Sequence, residues 1–290
     1  MLIQILEQVL NGLLAGAYYL LIALGLTLIF SLGGLVNLAH GAFYALGAYF
    51  AVKLGASLGF GGVMIASPAL VAIFGLVIER FLFRRFYRAD PALGLLVTFG
   101  LAMIAEQTLR VVFGAAPIPF SIPDALRGQI LVGDFIYSKY RLLMLLVAAA
   151  AVGALWLLLQ RTPFGRVVRA GVQNPDMVAA LGISLKPYMS GVVAISVALA
   201  ALAGVLLAPI SGVHPAMGAE ILTAAFVVVV IGGLGSFWGV VFAALIVGVV
   251  RGLTVYFFPS AAEASMYLLM VLVLLIRPRG LLGERILRFE

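Results

Sequence analysis

From residue 9 to residue 31 the chain carries no charged side chain, and this is only the first of several such runs. About 20 apolar residues suffice to cross a bilayer as a helix. Further apolar runs lie at about 35–56, 58–78, 92–113, 140–159, 189–210 and 264–276, and the stretch 223–250 is longer than one simple span needs. Lipid offers no partner to backbone N–H and C=O groups, so a spanning segment has to be a helix or part of a closed barrel. Uninterrupted runs of this length select helices. The expected fold is therefore all-α: one transmembrane domain over 1–290, a polytopic bundle of about eight spans with broken or re-entrant helices. With 64% hydrophobic and only 10% charged residues, a soluble domain is excluded.

Charge sets the orientation. The net charge of +7 does not point to nucleic acid, because Lys and Arg cluster at the ends of apolar runs. Arg80, Arg84, Arg85 and Arg88 form one cluster, the loop 161–187 holds a second, and Arg277, Arg279, Arg285 and Arg288 a third. All three are expected on the cytoplasmic side. The segment 115–139 is polar, rich in Pro and Gly and poor in Lys and Arg; it is expected outside, with room for a small β-hairpin. Since 161–187 and the tail lie on one side, 216–258 must cross an even number of times. Two pieces meeting at the glycine-rich turn 232–236 satisfy this, as does a re-entrant piece with a surface helix. Gly33-Gly34-Leu35 and Gly233-Leu234-Gly235 are weakly alike, and an internal duplication is one reading of that. The first residues, MLIQILEQVLNG, do not read as a signal peptide.

The longest run that cannot sit in lipid is RTPFGRVVRAGVQNPDMVAALGI, residues 161–183. Asn174 as cap, Pro175 at the first helical position and Asp176 in the first turn mark a helix start, and Gly182 marks its end. A helix of about two turns is marginal alone and needs a surface to pack on. Its own bundle, the membrane surface and a partner all remain open.

Polar groups inside the membrane are candidates for function because they are costly there. Asn37 and His40 are three apart, so a helix through both would place them on one face, among the small residues Ala39, Gly41 and Ala42. They either line a solute path or form an interhelical hydrogen-bond pair. Thr98 adds polarity to the fourth run, where Glu106 and Arg110, spaced i, i+4, read as a structural ion pair. Arg251, well within or near the outer end of its segment, reads as a snorkelling residue, and His214 as an outer-surface residue with no metal site. There is no cysteine, no HExxH and no G-x-x-x-x-G-K-[ST] phosphate loop. No cofactor, metal or ATP site of its own is expected, so energy for active transport has to come from another subunit or an ion gradient.

Several motifs then become familiar together. They are NLAHGAFYALGA at 37–48, LVTFGL at 96–101, the loop 162–183 with its T-x-x-G-R-x-x-R-A start and G-I end, the run 200–206 containing ALAGVL, the run 231–239, and IRPRGLLG at 276–283. In this order they resemble the permease subunits of branched-chain amino acid (LIV-type) ABC importers over nearly the whole chain. The resemblance implies a permease in the bacterial inner membrane that moves branched-chain or other hydrophobic amino acids inward. It implies as partners two ATPase subunits, a second permease subunit, identical or homologous, an extracytoplasmic solute-binding protein, a small-molecule solute and the lipid bilayer. It also implies that the loop helix docks into the ATPase, with Gly165, Arg166, Arg169, Asn174, Asp176, Ala179, Gly182 and Ile183 in the coupling region. Asn37, His40, Gly41, Thr98, Gly232, Gly233 and Gly235 are expected along the translocation path. The chain departs from many relatives at Ala42, near Ala224 and at Arg251, where those carry an acid, a Lys and a Glu. Urea, short amides and small carboxylic acids therefore stay open as solutes. An ion-coupled secondary transporter is the reading from another class.

Overall fold

A computed structural model of the chain describes residues 2–87, 90–132 and 135–283; Arg88, Arg285 and Arg288 of the basic clusters lie outside the described residues. The elements are helical apart from one hairpin. Helix α1 (Leu2–Gly33) is followed by a non-helical connector over 34–39 and by α2 (His40–Phe81). Helix α2 is really two arms, because Gly59, at φ 64° and ψ 175°, reverses the chain. The Ser67 hydroxyl donates to the Gly47 carbonyl at 2.6 Å, and the rings of Phe43 and Phe74 lie 6.4 Å apart. In one straight helix Ser67 and Gly47 would be about 30 Å apart, so the arms lie back to back. Helix α3 (Pro91–Phe113) is capped by Asp90, whose carboxylate accepts from the Ala92 N–H at 2.8 Å. Strands β1 (Gln129–Val132) and β2 (Phe135–Ser138) form the antiparallel hairpin, with Ile130 opposite Tyr137. Then come α4 (Lys139–Arg161), α5 (Pro163–Gln173), α6 (Pro175–Ala180), α7 (Lys186–Ser211), α8 (Met217–Gly232), α9 (Phe237–Phe257) and α10 (Ala262–Ile276).

Among the described residues, seven helices are long and apolar enough to cross a membrane. Separating the two arms of α2 makes eight long legs, and the 16-residue α8 adds a shorter one. The even number of crossings over 216–258 is met by α8 and α9, which meet at the glycine turn; the alternative with a surface helix is not what forms. The loop 161–187 is more ordered than its sequence suggests, because α5 precedes the expected short helix.

Glycine seams fix which helices touch. Gly12 lies against Gly248, Gly16 against Ala244 and Gly252 against Gln8, so α1 and α9 run antiparallel with backbones in contact. A Cβ on Gly12 would lie 2.6 Å from the Gly248 carbonyl oxygen, which no side chain tolerates. Such seams replace the hydrophobic effect as the source of helix association in lipid. Helices α1 and α7 are also antiparallel, since Gly33 sits beside Met189 and Gly25 beside Ser196. With the start of α7 inside, the Leu2 end of α1 lies outside.

The same order of parts occurs twice in opposite directions. One half is α1, the connector 34–39, the first arm of α2, the reversal at Gly59, the second arm and α3. The other is α7, the connector 212–216, α8, the turn at 233–235, α9 and α10. Gly34 (φ 64°) and Gly212 (φ 71°) end the long helices, while Gly59 (φ 64°) and Gly233 (φ 96°) make the reversals. Gly41 and Gly218, each in the first turn of its helix, touch where the halves meet. This corrects the likeness seen in sequence: the counterpart of Gly233 is Gly59, and the counterpart of Gly34 is Gly212.

Candidate functional site

One face of α1 passes through three layers. Tyr18, Gly25 and Leu32 are spaced by seven, two helical turns, so they share a face at steps of about 10 Å. Tyr18 borders an outer cavity of about 330 Å³, together with Tyr19, Tyr44, His214, Glu220, Arg251 and Glu263. Gly25 sits in a sealed layer against His40 and Ser196. Leu32 borders an inner cavity of about 520 Å³, with Gly33, Glu79, Arg84, Asp176 and Met189.

The sealed layer gathers three of the expected path residues. Asn37 and His40 are fully buried, and Thr98 nearly so. The expectation of one helix through Asn37 and His40 is corrected: Asn37 lies in the connector, ahead of α2. Its side-chain oxygen accepts from the Ala39 N–H at 3.1 Å and its carbonyl from the His40 N–H at 3.1 Å, so it shapes the start of α2. From α3 the Thr98 hydroxyl reaches across, accepting from the Leu38 N–H at 3.2 Å and lying 3.2 Å from the Val36 carbonyl. Among the described residues, Thr27 Oγ1, Asn37 Nδ2 and Ser196 Oγ are buried with no hydrogen-bond partner in the chain, and the His40 ring has the Ile22 backbone beside it. Buried polar atoms left unpaired cost on the order of 1–3 kcal/mol each. A row of them between α1, α2 and α7 marks a layer not built for stability alone.

Gly41 faces Gly218 at the junction of the halves. The other glycines expected on the path serve packing. Gly232 lies against Gly239 and Val240, and Gly233 against Gly280 and Gly283 of the C-terminal segment. Gly235 is 3.6 Å, by its would-be Cβ, from the Ser31 hydroxyl. These three hold the cytoplasmic turn of α8 and α9.

At the cytoplasmic end, Glu79 is buried and holds a network. Arg84 Nε donates to Glu79 Oε1 at 2.9 Å and the Ser190 hydroxyl to Oε2 at 3.0 Å, tying α2 to α7. Tyr87 donates to Oε1 at 3.4 Å, and burial together with Glu79 pushes its phenol well above the usual range. Sequence placed Glu79 only within a basic run; its five-residue spacing to Arg84 was the available signal.

The short helix α6 forms where its caps place it. The Asn174 side chain accepts from the Met177 N–H at 2.9 Å. Gly182 (φ 78°) closes the other end, with the Gly182 N–H donating to Ala179 at 2.9 Å and the Ile183 N–H to Val178 at 3.2 Å. Of α6 only Val178 is buried, whereas Met177 is 58% and Leu181 71% exposed. Asn174, Asp176, Ala179, Gly182 and Ile183 are exposed beside them. Gly165 is buried against the carbonyls of Leu158 and Leu159, Arg166 is exposed, and Arg169 donates to Gln160. Gly171, in α5, packs on Leu185 and Leu32, which links the loop to the bases of α7 and α1.

Four outer residues meet or refine expectation. Glu106 and Arg110 pair at 3.0 Å, as their spacing predicts. Arg251 does not snorkel away: it lines the outer cavity, and its Nε is buried without a partner. His214 is 23% exposed, 3.7 Å from Glu220, on the rim of the same cavity. Sequence reasoning missed Tyr18 and Tyr19 here, because tyrosines within a span carry no signal of the face they take.

The sequence model of one protein family, described as "Branched-chain amino acid transport system / permease component", matches residues 8–277. The high-affinity branched-chain amino acid transport system permease protein LivH of Salmonella typhimurium is 29% identical, with 96% of each chain covered. BraD of Pseudomonas aeruginosa, a permease protein of the same description, is 30% identical, again over 96% of each chain. LivM of Escherichia coli is 31% identical, covering 91% of this chain and 67% of that one. With its apolar helices and these relatives, this multi-pass protein of the inner membrane belongs to the family of branched-chain amino acid transport permease components.

Proposed function

We propose that this chain is the permease subunit of an ATP-driven ABC importer that moves branched-chain or other hydrophobic amino acids inward, with ATP hydrolysed on partner subunits. The observation that carries this is α6. It is a capped helix at the basic end of the bundle, held by one buried side chain, with Met177, Leu181 and Ile183 facing outward. Covering each such side chain yields about 1.5–3 kcal/mol, so the helix is built to enter a cleft. The ATPase is the partner that fits, because this chain has no phosphate loop.

The mechanical route follows the contacts. Closure of two ATPases around ATP shifts α6 and, through Gly171, Leu185 and Leu32, the bases of α7 and α1. Those two helices flank the sealed layer at Gly25 and Ser196. Parting them joins the outer and inner cavities along the Tyr18, Gly25, Leu32 face, and the unpaired polar atoms of the layer then meet water and solute. A second permease subunit and an extracytoplasmic solute-binding protein complete the assembly; likeness to both LivH and LivM of Escherichia coli, named as separate permease proteins, supports the former.

The test is docking. With both Met177 and Leu181 changed to Asp, the chain keeps its thermal midpoint, fails to co-purify with the ATPases, and ATP-driven uptake in proteoliposomes drops to background. Unchanged co-purification and uptake in that variant refute docking at α6.

A further inference from the structure

The outer cavity holds a charge arrangement that the fold does not need. Arg251 comes from α9, flanked by Gly248 and Gly252, which press that helix onto α1. Its guanidinium therefore stands in the bundle, beside Tyr18 and Tyr19. Glu220 of α8 and Glu263 of α10 line the same cavity, yet among the described residues no carboxylate comes within 4.0 Å of Arg251. Among the described residues Glu220 meets only His214, at 3.7 Å, and Glu263 meets no cation within that limit. A partly buried guanidinium left without its counter-ion is costly in a membrane protein. Two carboxylates held near it but out of reach leave a gap that a third group can fill.

We propose that Arg251 receives the carboxylate of the transported solute in an outer binding site, which rests on the importer reading given above. The planar fork of Arg matches a carboxylate with two parallel N–H···O bonds. The hydroxyls of Tyr18 and Tyr19 adjoin that position and offer further donors. The α-ammonium group, on the carbon next to that carboxylate, faces Glu220 or Glu263. The site thus selects small solutes that carry a carboxylate, α-amino acids above all, and rejects urea and amides, which give Arg251 no anion. At about 330 Å³ the cavity lies in the lower range of the ~300–1,000 Å³ typical of small-ligand sites.

The experiment uses the assembled permease–ATPase complex in nanodiscs without a binding protein, and saturation-transfer NMR with three probes: L-leucine, isobutyrate and isobutyramide. Leucine and isobutyrate are expected to bind wild type and isobutyramide not to. R251Q is expected to weaken the first two at least ~10-fold, the loss of a charge-assisted pair. R251K recovers part of that. Equal binding of isobutyrate and isobutyramide, full binding by R251Q, or no binding of any probe to wild type overturns the proposal. ATP-driven uptake by the same wild-type complex, with its binding protein, reports separately on the importer function. An R251Q complex that assembles with the wild-type thermal midpoint rules out a folding defect, and Y256F, whose hydroxyl donates to Gln4 outside that cavity, serves as a neutral control.

Discussion

The connectors 34–39 and 212–216 hold matching places in the two halves, yet one is hydrogen-bonded by a side chain of a third helix and the other borders the outer cavity. Each follows a long helix that ends in a glycine with positive φ, Gly34 or Gly212, and each leads into a helix whose first turn meets the other at Gly41 and Gly218. The inner connector is pinned from the side. Thr98 holds Val36 and Leu38, and Leu35 lies on Gly94 of α3. The outer one is tied by its backbone, through Val213 and Ile118, whose N–H groups donate to each other's carbonyls at 3.0 and 2.8 Å, and His214 lies 3.7 Å from Glu220. His40, next to the inner connector, is fully buried, while His214 in the outer one is 23% exposed. One backbone device is thus held by Thr98 of α3 in one half and borders the outer cavity in the other. The conformation described is closed between its two cavities at the layer where Gly25 meets His40 and Ser196.

The largest effect is expected where the halves meet. Gly41→Leu and Gly218→Leu each drive a side chain into the facing backbone, and each should cost about 3 kcal/mol, the top of the usual overpacking range. The thermal midpoint of the purified complex measures this; an unchanged midpoint in either would mean that the halves do not meet there. Next is Thr98→Val, which leaves the inner connector without its hydrogen bonds to α3 and should cost about 1–3 kcal/mol. Faster amide exchange over 34–39, with no change over 212–216, would sharpen the contrast, and Thr98→Ser should restore protection. Asn37→Ala removes the oxygen that orders the start of α2, a loss of about 1 kcal/mol by analogy with helix caps, seen as a smaller shift in the same two measurements. His214→Ala should change stability by no more than about 0.5 kcal/mol, as for a surface position. A shift there as large as that of Thr98→Val would erase the distinction between the two connectors.

Much of this was legible without coordinates. Span lengths followed from apolar runs, and orientation from Arg80, Arg84 and Arg161 at one end of them. The ends of α6 followed from Asn174, Pro175 and Gly182, because a cap acts on the N–H groups of its own first turn. The site was less legible. Asn37 was placed within a helix, since nothing local shows that the chain leaves helical geometry between Gly34 and Ala39; Thr98, sixty-one residues on, supplies the contacts that hold it there. Arg251 was placed well within or near the outer end of its segment and given a snorkelling role, because hydropathy reports depth and not direction.

What the sequence settled by itself was the local physics: which segments leave water, which end faces the cytoplasm, and where each short helix starts and stops. What only the tertiary structure decided was rotation and partnership. Helices α1 and α7 are apolar on every side, so no stripe in their sequence says which face turns inward. Glycine against glycine, at Gly12 and Gly248 or Gly41 and Gly218, fixes that rotation, and the rotation brings Tyr18, Gly25 and Leu32 onto one line and Arg251 into the cavity beside it.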